Sequence, residues 1–370
     1  MRNVEWGEYK LSNLFVKKTI KGVPKSKENL SENINGYHVF GQNIKYQYPQ
    51  KVLMDKKYLQ VVEDTSPILA YASSVGEIGI ITESFYRTGD NGAFQGLFSK
   101  EHKFSKNELL FVLPAIKKHF DYFGYDTGMA STMDLIVKLP TKNHEINYEF
   151  MNSFIAELET ERVAELSDYL TVNGFDNYEL SNAEWNAVNS INKLEWKEHR
   201  IGTLFEKVKT KKLSYKARKL PNEAQGDYDL PCLTSSFNNQ GLNYYVPRIG
   251  ATVLKDVITI PQNSDVYRAY YQSSEFTVLS DAYAIDWKYD DRKLTREQYL
   301  FMVMCINKVT DLPIYSYKNK LGGWNVVKDK YILLPEKDRE IDFSFMHTFI
   351  SALEKLAIKD VVDYVNDKPK

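Results

Sequence analysis

Two stretches of the chain place apolar residues three and four positions apart. In the first, Phe150, Met151, Phe154, Ile155, Leu158, Val163, Leu166, Tyr169 and Leu170 share one stripe, and in the second Phe345, Met346, Phe349, Ile350, Leu353, Leu356, Ala357, Val361, Tyr364 and Val365 do the same. That spacing predicts amphipathic helices. Asn147 and Asp342 stand at the N-cap positions, and the pairs Ile146–Met151 and Ile341–Met346 have the spacing of a hydrophobic staple. About 25 residues at about 1.5 Å each make rods near 38 Å long. Two such rods most simply pack as an antiparallel coiled-coil pair, with Phe150, Phe154, Leu158, Phe345, Phe349 and Leu353 as candidate interface residues. The alternative is that each helix packs on its own domain.

Elsewhere the apolar runs are short and broken by Gly, Pro, Asn and Asp. Val52-Leu53-Met54, Ile68–Tyr71, Ile78–Ile81, Val257–Ile260 and Phe276–Leu279 are predicted strands, and Lys106–Tyr122 and Thr295–Val309 predicted helices. The fold class is α+β: a twisted, mostly antiparallel sheet with helices, formed twice and followed each time by a long helix.

The chain is written twice. Glu5-Trp6-Gly7-Glu8-Tyr9-Lys10-Leu11-Ser12-Asn13-Leu14-Phe15 recurs as Glu195-Trp196-Lys197-Glu198-His199-Arg200-Ile201-Gly202-Thr203-Leu204-Phe205, and Leu139-Pro140 with Glu145-Ile146 recurs as Leu334-Pro335 with Glu340-Ile341. A shared opening and a shared close around diverged interiors describe a duplicated unit. The expected domains are a recognition-type domain over 1–139, a long helix over 140–170, a linker over 171–194, a second domain over 195–335 and a second long helix over 336–370. In the linker, Asn173-Gly174 marks a turn, and Ser181 with Glu184 fits a capping box that opens a short helix around Trp185.

Composition narrows the class. A chain of 370 residues with 43% hydrophobic and 26% charged residues is an ordinary globular two-domain length. No apolar run approaches a membrane span and no signal-peptide pattern opens the chain, so a cytoplasmic location is expected. Cys232 and Cys305 form no CxxC pair, which argues against a disulfide framework or a zinc site. The net charge of −1 is segregated: +3 over 1–139 and +5 over 195–335, against −7 over 140–194 and −2 over 336–370. That distribution suits two DNA-facing modules on an acidic scaffold.

Side chains with donors and acceptors that match base edges lie in the polar loops. In the first half these are Gln42, Asn43, Lys45, Tyr46, Ser73, Ser74 and Asn91. In the second they are Ser235, Ser236, Asn238, Asn239 and Gln240, then Gln262, Asn263, Ser264, Tyr267 and Arg268, and finally Tyr315, Ser316, Tyr317, Lys318, Asn319 and Lys320. The repeated Trp6 and Trp196 are expected in the core. No methyltransferase Pro-Pro-aromatic motif, glycine-rich cofactor loop, Walker pattern or HExxH appears, so no catalytic residue, metal or cofactor is expected on this chain. A nuclease built on a carboxylate cluster and a duplicated scaffold that binds protein or glycan stay as alternative readings.

The order of variable domain, long helix, variable domain, long helix, with a Trp-x-x-x-x-Leu-x-x-x-Phe-like opening to each half, resembles the specificity subunits of Type I restriction-modification enzymes and the related separate subunits of some Type II systems. The stretches Tyr315–Leu356 and Met133–Glu159, passing through an Ile-x-Leu-Pro-like strand into the long helix, carry the likeness, and Gln262–Asp286 adds to it. The resemblance implies that each domain reads one half of a split DNA site, and that the helices space the halves and dock methyltransferase subunits. Those partners would supply S-adenosylmethionine chemistry, with a nuclease or translocase subunit joining in a full system. Rods near 38 Å agree with a spacer of about one DNA turn, roughly 34–36 Å.

Overall fold

The computed structural model describes residues 4–41, 43–72, 76–89, 94–123 and 132–368. The chain divides into two compact units, Met1–Leu166 and Ser167–Pro369. The first contains β1 (Glu5–Lys10), α1 (Leu11–Leu14), β2 (Phe15–Thr19), β3 (Glu32–Phe40), β4 (Ile68–Ala72), β5 (Glu77–Ile81), β6 (Phe85–Arg87), β7 (Phe94–Ser99), α2 (Lys106–Phe123), β8 (Ile136–Lys142), β9 (Glu145–Ile146) and most of the long α3 (Tyr148–Val172). The second contains α4 (Asn182–Ser190), β10 (Glu195–Arg200), α5 (Ile201–Leu204), β11 (Phe205–Lys207), β12 (Leu230–Leu233), β13 (Leu242–Val246), β14 (Val257–Pro261) and β15 (Tyr270–Gln272). It continues with β16 (Thr277–Val278), β17 (Ala282–Trp287), α6 (Arg296–Thr310), α7 (Trp324–Val327), β18 (Tyr331–Lys337), β19 (Glu340–Ile341) and the long α8 (Phe343–Asn366).

The repeat seen in the sequence is a repeat of topology. In each unit the shared opening strand pairs antiparallel with the Leu-Pro strand in one register, Trp6 opposite Pro140 and Trp196 opposite Pro335. A tight hairpin then leads to the long helix. Its turn residues, Asn143 and His144 in one unit and Asp338 and Arg339 in the other, all have positive φ, as a two-residue type I′ connection requires. The cap residue is fixed through both its backbone and its side chain. Asn147 N–H donates to Pro140 O and Asp342 N–H to Pro335 O, both at 2.8 Å. Their side chains accept from Phe150 N–H at 3.0 Å and Phe345 N–H at 2.8 Å, satisfying helix donors that have no partner within the helix.

The strands expected to form one mostly antiparallel sheet in each half are divided among three small sheets, the frame's own and two inside it. The order β2-β7-β4-β5 in the first unit matches β11-β17-β14-β15 in the second, and each unit adds one parallel pairing, β3 with β6 and β12 with β16. Two expected strands shrink. Val52 makes only isolated bridges to Glu32 and Tyr37 and is buried with Met54 in a satellite core, and of Phe276–Leu279 only Thr277–Val278 joins a ladder. Helices α2 and α6 pack over the four-stranded sheets, burying Leu109, Val112 and Ile116 in one core and Phe301, Met302 and Ile306 in the other.

Each long helix is fastened to its own unit over its first turns. Asn152 donates to the buried Glu108 carboxylate at 2.6 Å and accepts from Ser105 Oγ at 2.8 Å, while His102 sits 2.8 Å from the same carboxylate. In the second unit Arg296 pairs with Glu354 at 2.6 Å and His347 with Glu297 at 3.1 Å. The residues expected at a helix seam are engaged here: Phe150 and Phe154 lie edge-on to Phe111, Phe345 and Phe349 lie edge-on to Phe301, and Leu353 packs on the second core. Leu158 is exposed.

The linker belongs to the second unit. Ser181 and Glu184 form the expected capping box on α4, and Glu184 is paired with Lys355 of α8 at 2.9 Å. Burial opposes ionisation of Glu184, yet Lys355 and the Ser181 donors together hold its carboxyl below the usual range. The frame tryptophans are less buried than expected. Trp6 is 46% exposed and stacks on Phe111, and Trp196 stacks on Phe301, so each covers the flank of the unit's helix from the rim of the core.

Met151 and Met346 occupy equivalent positions and have no solvent exposure. Met151→Ala and Met346→Ala are each expected to lower unfolding free energy by about 2–5 kcal/mol, and Leu158→Ala by under about 1 kcal/mol in the isolated chain. Denaturant titration of the three variants checks this, and a large destabilisation from Leu158→Ala would show that side chain to be covered.

Candidate nucleic-acid interface

In the first unit the turn after β3 carries the described candidates. Gly41 N–H donates to Lys45 O at 2.9 Å and Ile44 N–H to Gly41 O at 3.2 Å, closing a tip that leaves Asn43 and Lys45 exposed. Ile44 holds this tip with φ 55°, a region costly for a β-branched residue. Its side chain packs against Gly79, where a Cβ would come within 2.9 Å of it. Tyr46 is stacked on His38 at 3.9 Å, and its hydroxyl donates to Glu83 at 2.6 Å, which pushes its pKa up to about 12. The Tyr46 hydroxyl proton is therefore held by the protein. Gln42, Ser73, Ser74 and Asn91 lie outside the described residues.

In the second unit three segments meet around the β14–β15 hairpin. The 234–241 loop is tied to it by Tyr270 Oη donating to Phe237 O at 3.3 Å and Gln272 Nε2 donating to Gln240 O at 3.2 Å. The hairpin's own loop, 262–269, is tied to the 311–320 segment by Tyr317 N–H donating to Asp265 at 3.0 Å. Asn239, Gln240 and Gly241 all have positive φ, so the first loop turns sharply and presents Phe237, Asn238 and Gln240 outward. Ser236 Oγ accepts from Asn238 N–H and Asn239 donates to Leu242 O, so these two hold the turn, while Ser235 is half-buried beside them. Lys320 lies 4.9 Å over the exposed Tyr317 ring, with Lys318 exposed between them.

Other sequence candidates are engaged by the protein. Tyr267 is 1% exposed, edge-on to Tyr315 in the core, and takes no part in a surface. Arg268 is bound to Asp311 at 2.7 Å, and Asn263 to Asp281 at 2.7 Å. Asp281 has φ 55° and also accepts Gln262 N–H on its carbonyl, so the Asn263 contact locks the loop. Gln262 lies against Gly323, where a Cβ would fall 3.1 Å from its side chain. The exposed Phe237, in the sharply turned 234–241 loop, was absent from the sequence candidates, which were chosen among polar side chains.

The geometry is that of a surface reader: exposed amides, hydroxyls, lysines and an aromatic on loops that a rigid sheet holds. Among the described residues, no three His, Cys, Asp or Glu side chains are placed to hold a metal ion, and no helix is long and apolar enough to cross a membrane.

These features define a duplicated recognition module mounted on long helices. Residues 193–364 match the Type I restriction modification DNA specificity domain. It is similar to the Type II restriction enzyme BgcI specificity subunit S.BcgI of Heyndrickxia coagulans, 22% identical over 258 residues, which are 69% of each chain. In fold it is similar to the Type I restriction-modification S subunit from M. genitalium, with a TM-score of 0.55 at 14% identity, covering 99% of this chain and 92% of that one.

Because the Tyr267 hydroxyl is buried with no partner among the described residues, Tyr267→Phe is expected to leave stability unchanged or raise it by about 1 kcal/mol. DNA preference should be unaltered. A changed base preference in a binding assay would place Tyr267 at the interface after all.

Proposed function

We infer that this chain is the sequence-reading subunit of a restriction-modification complex, each unit contacting one half of a bipartite DNA site. One observation carries the inference: a half that matches a DNA specificity domain is preceded by a half with the same frame, strand register and helix cap. A site read by two such modules falls into two parts, and the parts differ because the interiors differ. Phosphate contacts position each module and loop side chains select bases. In this reading the long helices set the gap and carry docking surfaces for methyltransferase subunits. Those partners bring S-adenosylmethionine and the methyl transfer, and a nuclease subunit completes a restricting complex. The chain itself contributes recognition and no catalysis, and it works in the cytoplasm beside the DNA.

Internal pairing decides which variants test the reading. Asn263 and Arg268 hold their own loops, so the informative second-half set is Asn238, Gln240 and Lys318, and the first-half set is Asn43 and Lys45. Changing either set to Ala is expected to relax preference at one half-site only, by about 1–3 kcal/mol for each true base contact. The measurement is methylation by the assembled complex on duplexes randomised at one half at a time. Equal effects on both halves would contradict two independent readers.

A further inference from the structure

The shared Leu-Phe at the end of each opening frame is followed by a segment rich in cations. After Glu8 the next carboxylate is Glu28, and between Phe15 and Glu28 stand Lys17, Lys18, Lys21, Lys25 and Lys27. After Glu206 the next is Glu223, and between them stand Lys207, Lys209, Lys211, Lys212, Lys216, Arg218 and Lys219. All twelve are exposed.

Neither segment is a loose tail. The first is anchored by Ile20 and Val23, 3% and 0% exposed, and its backbone runs beside β6 with Val23 N–H donating to Arg87 O at 2.6 Å. The second is anchored by Leu213, Ala217 and Leu220 on the core that includes Leu230, Cys232 and Val246, with Lys211 N–H donating to Thr252 Oγ1 at 3.0 Å. In both, apolar residues turn inward and cations stay outside.

Their charge is unneutralised, unlike that of several arginines elsewhere in the chain. Arg200, Arg248, Arg268, Arg292 and Arg296 each hold a carboxylate. Among the described residues, none of Lys17, Lys18, Lys21, Lys25, Lys209, Lys211, Lys212, Lys216, Arg218 or Lys219 is in an ion pair. Lys27 alone acts on a carboxylate, Asp55, which Lys57 already pairs at 2.9 Å. Leaving like charges crowded together costs electrostatic free energy that a polyanion would recover.

The two segments also lead to equivalent places. Strand β2 runs antiparallel to β7, and Ile20 N–H donates to Phe94 O at the start of β7. Strand β11 runs antiparallel to β17, and Val208 N–H donates to Ala284 O, close to Asp281, which holds Asn263 at the polar patch. Each cationic segment therefore begins in the equivalent edge strand, and in the second unit its start lies along β17 near the Asp281 that holds Asn263.

We propose that residues 17–25 and 207–219 are the phosphate-binding tracks of the two units, gripping the DNA backbone without regard to sequence while the neighbouring loops read bases. The proposal rests on the DNA-reading function inferred above. It separates affinity from specificity: the tracks supply salt-dependent grip and the loops supply preference.

The test uses the full chain and a mixed-sequence duplex, with affinity measured by fluorescence anisotropy across a salt series. Changing Lys211, Lys212, Arg218 and Lys219 to Gln, and separately Lys17, Lys18, Lys21 and Lys25 to Gln, is expected to flatten the log K against log salt slope by about 0.9 for each phosphate no longer neutralised, about 3–4 for each set. Thermal melting should be unchanged, since the replaced side chains are exposed and outside any ion pair. The comparison variant Arg200→Gln with Arg248→Gln removes two charges that are already paired, and its slope should move by under about 1. Slopes that stay at the wild-type value in both lysine-rich sets, or a comparison variant whose slope falls as much per charge, would overturn the tracks. Failure of the unaltered chain to bind DNA in a salt-dependent way would instead overturn the function on which they rest.

Discussion

The structure depends on one clamp made twice: the antiparallel pairing of the opening strand with the Leu-Pro strand. In each unit this pairing brings together segments far apart in sequence and fixes where the chain enters and leaves the variable interior. The Pro140 and Pro335 carbonyls then take the cap-residue N–H, so the same clamp aims the long helix. With the ends fixed, the entropy cost of the long intervening loop grows only slowly with its length. Interiors of different length and sequence are thereby tolerated inside one frame, which accounts for an offset that drifts from 190 at the opening to 195 at the close.

Within each interior, pairing determines which polar groups remain available to a ligand. The carboxylates of the second patch are engaged: Asp265 accepts Tyr317 N–H, Asp281 takes Asn263 and Asp311 takes Arg268. These contacts tie the loops to one another, and they leave Asn238, Gln240 and Lys318 exposed. A rigid reader needs both kinds of residue, because loop positions are as much a part of selectivity as the side chains at their tips.

Much of this was legible in the sequence. The two long helices, the caps Asn147 and Asp342, the capping box at Ser181 and the duplicated frame are signals read directly along the chain, and the structure carries them. The split of each half into three small sheets was not legible, since the parallel pairing of β3 with β6 and of β12 with β16 joins segments with no mutual signal. Tyr267 looked like a reader because it sits in a polar stretch, but its neighbours across the core are distant in sequence. Arg268 and Asn263 looked free because their partners lie 43 and 18 residues away. The cationic segments were diluted in domain-wide charge counts of +3 and +5 and stand out once the carboxylate-free stretch after each opening frame is read on its own.

The central claim is that two modules held in identical frames read two separate stretches of DNA. Its most direct test is selection of the assembled complex on a library of fully random duplexes, followed by sequencing of the bound fraction. The account predicts enrichment of two short, dissimilar blocks separated by a constant number of unselected base pairs. Enrichment of one continuous block, or of two blocks at freely varying separation, would contradict it.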